Sequence, residues 1–226
     1  MDASVELVAV SKTFGPVRAL VGVSARFAAG RVSIVLGPNG SGKSTLLALV
    51  GTLARPTSGR VDHGVLGPGR SKIRASLGWL GHDSLCYADL TGRENIGLAA
   101  RLHKIDGARA FAEASARFDL GAFADRPVRT YSRGQRQRIA LARALVHAPR
   151  LILLDEPTTG LDAVSTERLG VVVRAEAAKG AVVLVVTHDA AFGESVGDDM
   201  FPLERGRLVR AGASSERGAV PERGLH

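Results

Sequence analysis

Two rhythms of apolar residues run through this chain. Val32-Ser33-Ile34-Val35-Leu36, Leu151-Ile152-Leu153-Leu154 and Ala181 to Val186 are short, almost unbroken apolar runs, the pattern of strands buried on both faces. Val21, Val23, Ala25 and Phe27 alternate with smaller or polar residues, as a half-buried strand does. Val5 to Val10 predicts a first strand, with Ser11 to Pro16 as the turn after it; Leu77 to Leu80 predicts a short strand, and Met200 to Val209 a hairpin centred on Gly206. Between Asp83 and Ala148 the rhythm becomes helical. Thr91-Gly92-Arg93-Glu94 has the form of a capping box, Phe111, Ala114, Arg117 and Phe118 lie on one helix face, and Arg126-Pro127 breaks the chain before a third helix from Ser132. A further helix is predicted from Val164 to Lys179, closed by Gly180; Leu46 to Val50 predicts a helix that Pro56 to Gly59 stops, and Gly64 to Gly69 predicts a loop. Strands alternating with helices predict an α/β core, interrupted by a helical insertion.

Composition narrows the function classes. The chain has 226 residues, 45% hydrophobic and 23% charged, which suits a soluble globular protein. No apolar run reaches the roughly eighteen residues of a membrane span. The first residues lack a secretory pattern, which together with the apolar content predicts a cytoplasmic location. Cys86 is the single cysteine, so neither an internal disulfide nor a multi-cysteine zinc site is available. The net charge of +8 comes from scattered basic residues, which fits an arginine-rich surface or an anionic membrane face better than nucleic acid.

The chemistry centres on Gly37-Pro38-Asn39-Gly40-Ser41-Gly42-Lys43-Ser44-Thr45, between a predicted strand and a predicted helix. This is the phosphate-binding loop pattern. A triphosphate needs many N–H donors at close range; Gly40 and Gly42 let the backbone approach, and the helix start adds its free amides and partial positive charge. Lys43 then reaches the β- and γ-phosphates, and the Ser44 hydroxyl offers a ligand to Mg²⁺.

Four further segments follow in order: Ser132-Arg133-Gly134-Gln135 at a helix start, Leu151 to Glu156, Thr159-Gly160-Leu161-Asp162, and Thr187-His188. With the phosphate loop ahead of them, they resemble the ATP-binding cassette (ABC) ATPases over nearly the whole chain. The resemblance implies an α/β phosphate-loop NTPase core with an antiparallel β subdomain and an inserted helical subdomain at about 83–148. It also implies one domain over 1–210, and the chain beyond is expected to be a disordered tail. ATP and Mg²⁺ are the implied cofactors. Asp155 and Ser44 would serve the metal, Glu156 would orient the attacking water, His188 would contact the γ-phosphate, and Phe14 would stack on adenine. Ser132, Gly134 and Gln135 would cover the ATP of a second subunit paired head to tail, with Asp162 in the loop between the two sites.

This chain departs from the family's usual residues in two places. Tyr131 and Arg133 stand where the common signature has leucine and glycine, and His82 stands where a glutamine usually touches the metal. Gly81-His82 with Leu90 to Asn95 resembles the ATPase subunits of bacterial heme exporters used in cytochrome c maturation; another small efflux system is the alternative. The implied partner is a separate integral membrane subunit, docked near Tyr87, Asp89, Leu90 and Arg93, on the cytoplasmic side of the membrane. A ribosome- or nucleic-acid-directed role is disfavoured, because those relatives carry paired cassettes, coiled coils or zinc cysteines. A non-catalytic ATP sensor is disfavoured by the intact Lys43, Asp155, Glu156 and His188.

Overall fold

The computed structural model describes residues 4–67 and 69–209. Two sheets organise it. The first is antiparallel and has the order β2-β1-β4, from β1 (Ser4–Phe14), β2 (Val17–Ala28) and β4 (Ser58–Asp62). The second has the order β5-β6-β7-β3-β8-β9, from β3 (Val32–Leu36), β5 (Leu77–Leu80), β6 (Leu151–Asp155), β7 (Val182–Thr187), β8 (Asp199–Glu204) and β9 (Arg207–Leu208). Its first five members are parallel, and only the terminal β8–β9 hairpin is antiparallel.

The unbroken apolar runs have a simple cause. Ile34, Val183, Val185, Ile152 and Leu154 face one core, while Val35, Leu184, Val186, Leu151 and Leu153 face the other. A strand with period two that is buried on both faces has no polar position to spare. One core is filled by α1 (Lys43–Val50) and the antiparallel sheet. The other is filled by α3 (Gly92–Leu102), α4 (Gly107–Phe118), α5 (Arg133–Leu145), α6 (Ala163–Ala178) and α7 (Ala190–Val196). Helices α3 to α5 all lie between β5 and β6 in the chain.

Three expectations need correction. The chain from Ser11 to Phe14 continues β1, because Lys12, Thr13 and Phe14 pair with Leu20, Arg18 and Val17; the turn is only Gly15-Pro16. Ser58-Gly59 does not stop a helix but opens β4, α1 having already ended at Val50. Two short helices were not anticipated, α2 (Arg70–Ala75) and α7. The predicted tail over 211–226 lies outside the described residues. Among the described residues no helix is long and apolar enough to cross a membrane.

Candidate functional site

Strand register places the candidate residues along one edge. Leu36 of β3 lies beside Thr187 of β7, and Val186 of β7 lies beside Asp155 of β6. β6 and β3 do not touch as pairs; β7 lies between them and brings Thr187 and His188 to the middle of the edge. A crevice at the carboxyl ends of parallel strands is where α/β folds bind ligands.

The loop after β3 passes into α1 without a side-chain cap; Gly42 is its N-cap, with φ 107°. A Cβ there would lie 2.5 Å from the Ala19 carbonyl, so only glycine fits. Gly40, φ 79°, faces open space. Lys43 is buried at 6% exposure and donates from Nζ to the Gly37 and Pro38 carbonyls at 2.7 and 3.2 Å. The Ser41 hydroxyl is buried without a partner. The cleft around this loop, about 340 Å³, is lined by Asn39, Gly40, Gly42 to Thr45, His82, Asp155 and Glu156. Val17, Arg18 and Ala19 complete it, residues that sequence reasoning missed. A roomier cleft of about 560 Å³ beside β4 and α2 contains none of the loop residues.

The two carboxylates differ sharply. Burial raises the Asp155 carboxyl above its ordinary pKa; the Ser44 hydroxyl, Lys43 and His82 pull the other way, and Glu156 adds to the rise. Burial also pushes Glu156 up, but hydrogen bonds from His188 and Thr187 outweigh it and hold Glu156 below the usual range. Glu156 Oε2 accepts from Thr187 Oγ1 at 3.0 Å, from the His188 amide at 3.2 Å, and lies 2.8 Å from His188 Nδ1. Oε1 is buried with no hydrogen bond, 3.5 Å from Lys43 Nζ. One carboxylate oxygen is thus saturated and the other is left with open lone pairs. Glu156 also has left-handed backbone, φ 46°, a conformation that costs a non-glycine residue about 1 kcal/mol or more.

The second helix start is built differently. Ser132 caps α5 in a full capping box: its hydroxyl accepts from the Gln135 amide at 3.2 Å, and Gln135 Oε1 accepts from the Ser132 amide at 3.1 Å. Gly134 backs onto the loop after β6, where a Cβ would lie 2.6 Å from the Gly160 carbonyl. Gln137, another residue that the motif did not reveal, donates to the Pro157 carbonyl at 2.9 Å and ties α5 to that loop. Asp162 caps α6 by accepting from the Ser165 amide at 2.8 Å, a bond that lowers its pKa. Phe14 is 53% exposed at the end of the β1–β2 hairpin, paired with the cleft residue Val17 and with Lys12 Nζ 4.8 Å from its ring centroid.

Of the four proposed docking residues, Tyr87, Asp89 and Arg93 are exposed. Arg93 is already engaged: it pairs with Asp125 at 2.7 Å and stacks on Phe111 at 3.8 Å. Leu90 is half-buried, with its carbonyl accepting from the Val128 amide at 2.9 Å.

An uncapped helix start, a buried lysine and two unlike carboxylates on one strand edge are the anatomy of a phosphate-loop nucleoside triphosphatase. The ABC transporter family profile matches residues 20–159, more than half of the chain, and the chain belongs to that family as one of its ATPases. It is 36% identical over 221 residues to a daunorubicin resistance ATP-binding protein of Streptomyces coeruleorubidus, covering 95% of this chain and 70% of that one. It is 43% identical over 170 residues to a cytochrome c biogenesis ATP-binding export protein of Gluconobacter oxydans, covering 75% of this chain and 74% of the relative. A Pseudomonas fluorescens protein named for Fe(3+) import is 36% identical, covering 94% of this chain and 62% of its own length. The fold matches the dimeric structure of a bacterial ABC transporter cassette with TM-score 0.82 and 28% identity, over 91% of this chain and 97% of that one. A post-hydrolysis dimer holding ADP and Pi matches with the same TM-score.

Proposed function

We propose that this chain is the ATP-hydrolysing motor of an ABC exporter and drives a separate membrane subunit from the cytoplasmic side. The observation that carries the catalytic part is the split Glu156 carboxylate, with Oε2 held by three donors and Oε1 buried without a hydrogen bond, 3.5 Å from Lys43 Nζ. Such a group is fixed in direction and ionised, as a general base for water must be. The phosphates of ATP would lie on the open amides of α1, with Lys43 turning from the loop carbonyls to the β- and γ-oxygens. The residues present fit Mg²⁺: the Ser44 hydroxyl lies by the Asp155 carboxylate, and hard oxygen donors are what that ion takes. Bound there, Mg²⁺ would neutralise developing charge on the phosphates. His82 lines the same cleft and offers it a ring nitrogen. His188 holds Glu156 in place and, with 65% of its side chain exposed, is free to meet a γ-phosphate. Phe14, beside Val17, offers the adenine a flat apolar platform.

The signature around Ser132, Gly134 and Gln135 lies at the start of α5, where only part of the helix's positive end is taken up by the capping box. In a head-to-tail pair it would close over the ATP of the second copy, and Asp162 would lie in the seam. The dimeric form of a matched bacterial cassette supports this arrangement.

Export is favoured by the relative with the highest of the quoted identities, named for cytochrome c biogenesis export, and heme is the cargo implied by the resemblance of Gly81-His82 and Leu90 to Asn95 to heme exporters. The daunorubicin resistance relative, matched over 95% of this chain, favours the second reading, efflux of a drug-like molecule. Purification from native membranes decides between them. A co-purifying multi-span protein whose loss abolishes cytochrome c maturation supports heme; one whose loss leaves maturation intact but sensitises cells to a drug supports the second. Recovery with no membrane protein would contradict both.

A further inference from the structure

We propose that Tyr131 is a positioning residue whose hydroxyl joins the start of α5, and so the Ser132 cap, to the exposed loop at 85–91. The inference rests on the reading that this loop meets a membrane subunit and that Ser132 meets a second copy. Tyr131 is buried at 4% exposure, and its hydroxyl accepts from the Gly92 amide at 3.0 Å, across 39 positions of sequence. Gly92 is the first residue of α3; the capping box of that helix occupies the amides of Thr91 and Glu94 and leaves the Gly92 amide to the tyrosine. The fit is close. A Cβ on Gly92 would lie 2.6 Å from the Tyr131 hydroxyl and 2.6 Å from Ile139 Cδ1. The ring itself is fixed edge-on by Phe123, with centroids 5.1 Å apart.

The backbone on either side makes this bond the last link in a chain of contacts. The Arg129 amide donates to Ala88 O at 2.8 Å, Val128 to Leu90 O at 2.9 Å, and Pro127 bridges Thr91. The loop is also fixed from α3: Asn95 is fully buried, accepts from the Tyr87 amide at 2.8 Å and donates to the Tyr87 and Thr91 carbonyls. Leu85 and Tyr87 remain more than half exposed at the outer end. A displacement of the loop therefore carries the α3 start and residues 127–131 together, and the next residue is Ser132. A leucine at position 131 could fill the same space but has no acceptor for the Gly92 amide. The hydroxyl is what converts packing into a directed link.

The test is Tyr131→Phe, which keeps the ring and removes the acceptor. In the intact chain, amide exchange should quicken by about fivefold or more at Gly92, the effect of losing one net hydrogen bond. It should also quicken at Gln135 and Tyr87, whose amides rest on Ser132 and Asn95, while core amides such as Val185 stay unchanged. Acceleration confined to Gly92, or equal acceleration throughout the sheet, would overturn the proposal. In a Glu156→Gln background the same change should weaken ATP-dependent dimerisation several-fold with monomer ATP affinity unchanged; an unaltered dimer constant would also overturn it. If the Glu156→Gln parent itself never dimerises, the paired-subunit reading fails, and the amide exchange still decides on Tyr131.

Discussion

The two helix starts that carry the motifs solve the same electrostatic problem in opposite ways. Every α-helix leaves its first amides unpaired. Among the described helices of eight or more residues, α3, α4, α5 and α6 each satisfy some of them with a side chain: Thr91, Asp106, Ser132 and Asp162. Of these described longer helices, only α1 begins at a bare glycine. That omission leaves α1 less satisfied than its neighbours, a cost offset only when an anion supplies the acceptors. Lys43 is buried beside it, its hydrogen bonds going only to two loop carbonyls and its carboxylate partner, Glu156 Oε1, at the longer distance of 3.5 Å, which points the same way. The start of α5 is half closed by its own box and lies at the surface. The first site is built within one chain; on the proposed reading the second is a lid that needs something to cover.

Breaking the first site should have the largest effects. Glu156→Gln removes the proposed general base and should lower turnover by on the order of a hundredfold or more while ATP binding persists; steady-state hydrolysis alongside equilibrium nucleotide binding checks this. Lys43→Ala should instead weaken nucleotide binding itself, by about tenfold or more, as loss of a charge-assisted contact implies. Titration with a fluorescent ATP analogue reads it directly.

The far end of α5 gives a smaller, pH-dependent effect. His147 stacks on His103, centroids 3.8 Å apart, and burial, with the neighbouring His103, lowers its pKa to about 4. The unfolded chain, with a histidine near 6.5, then binds the proton first, so stability is lost as the pH falls from about 6.5 towards 4. Allowing for solvent screening, the loss should be about 1–2 kcal/mol. Urea unfolding at about pH 7 and about pH 5 should show His147→Leu losing less than the parent. Smallest is Ser132→Ala. It removes one cap, should cost about 1 kcal/mol in thermal unfolding, and should leave ATP binding by the isolated monomer unchanged.

How much of this was legible in the sequence follows from locality. The loop from Gly37 to Thr45 and the run from Leu151 to Asp155 declare themselves, because their chemistry lies in consecutive residues and their burial in consecutive apolar positions. β4 was hidden because Ser58-Gly59-Arg60-Val61-Asp62 is an edge strand with almost no buried side chain. α2 has a single buried residue, Ile73, and so no readable period. The insertion of β7 between β3 and β6, which carries His188 to Glu156, is a property of the sheet and of no single segment. Gln137 and the Tyr131 hydroxyl were invisible for the same reason: each acts on a partner far away in sequence, 20 and 39 positions off.

The claim that α5 is a lid over another copy's nucleotide is tested most directly by sedimentation of the Glu156→Gln protein with and without ATP. The account predicts a monomer without nucleotide, a dimer with ATP and Mg²⁺, and a return to monomer when Ser132→Arg is added, although that variant still binds ATP. A dimer that persists without nucleotide, or one that survives Ser132→Arg, would contradict it.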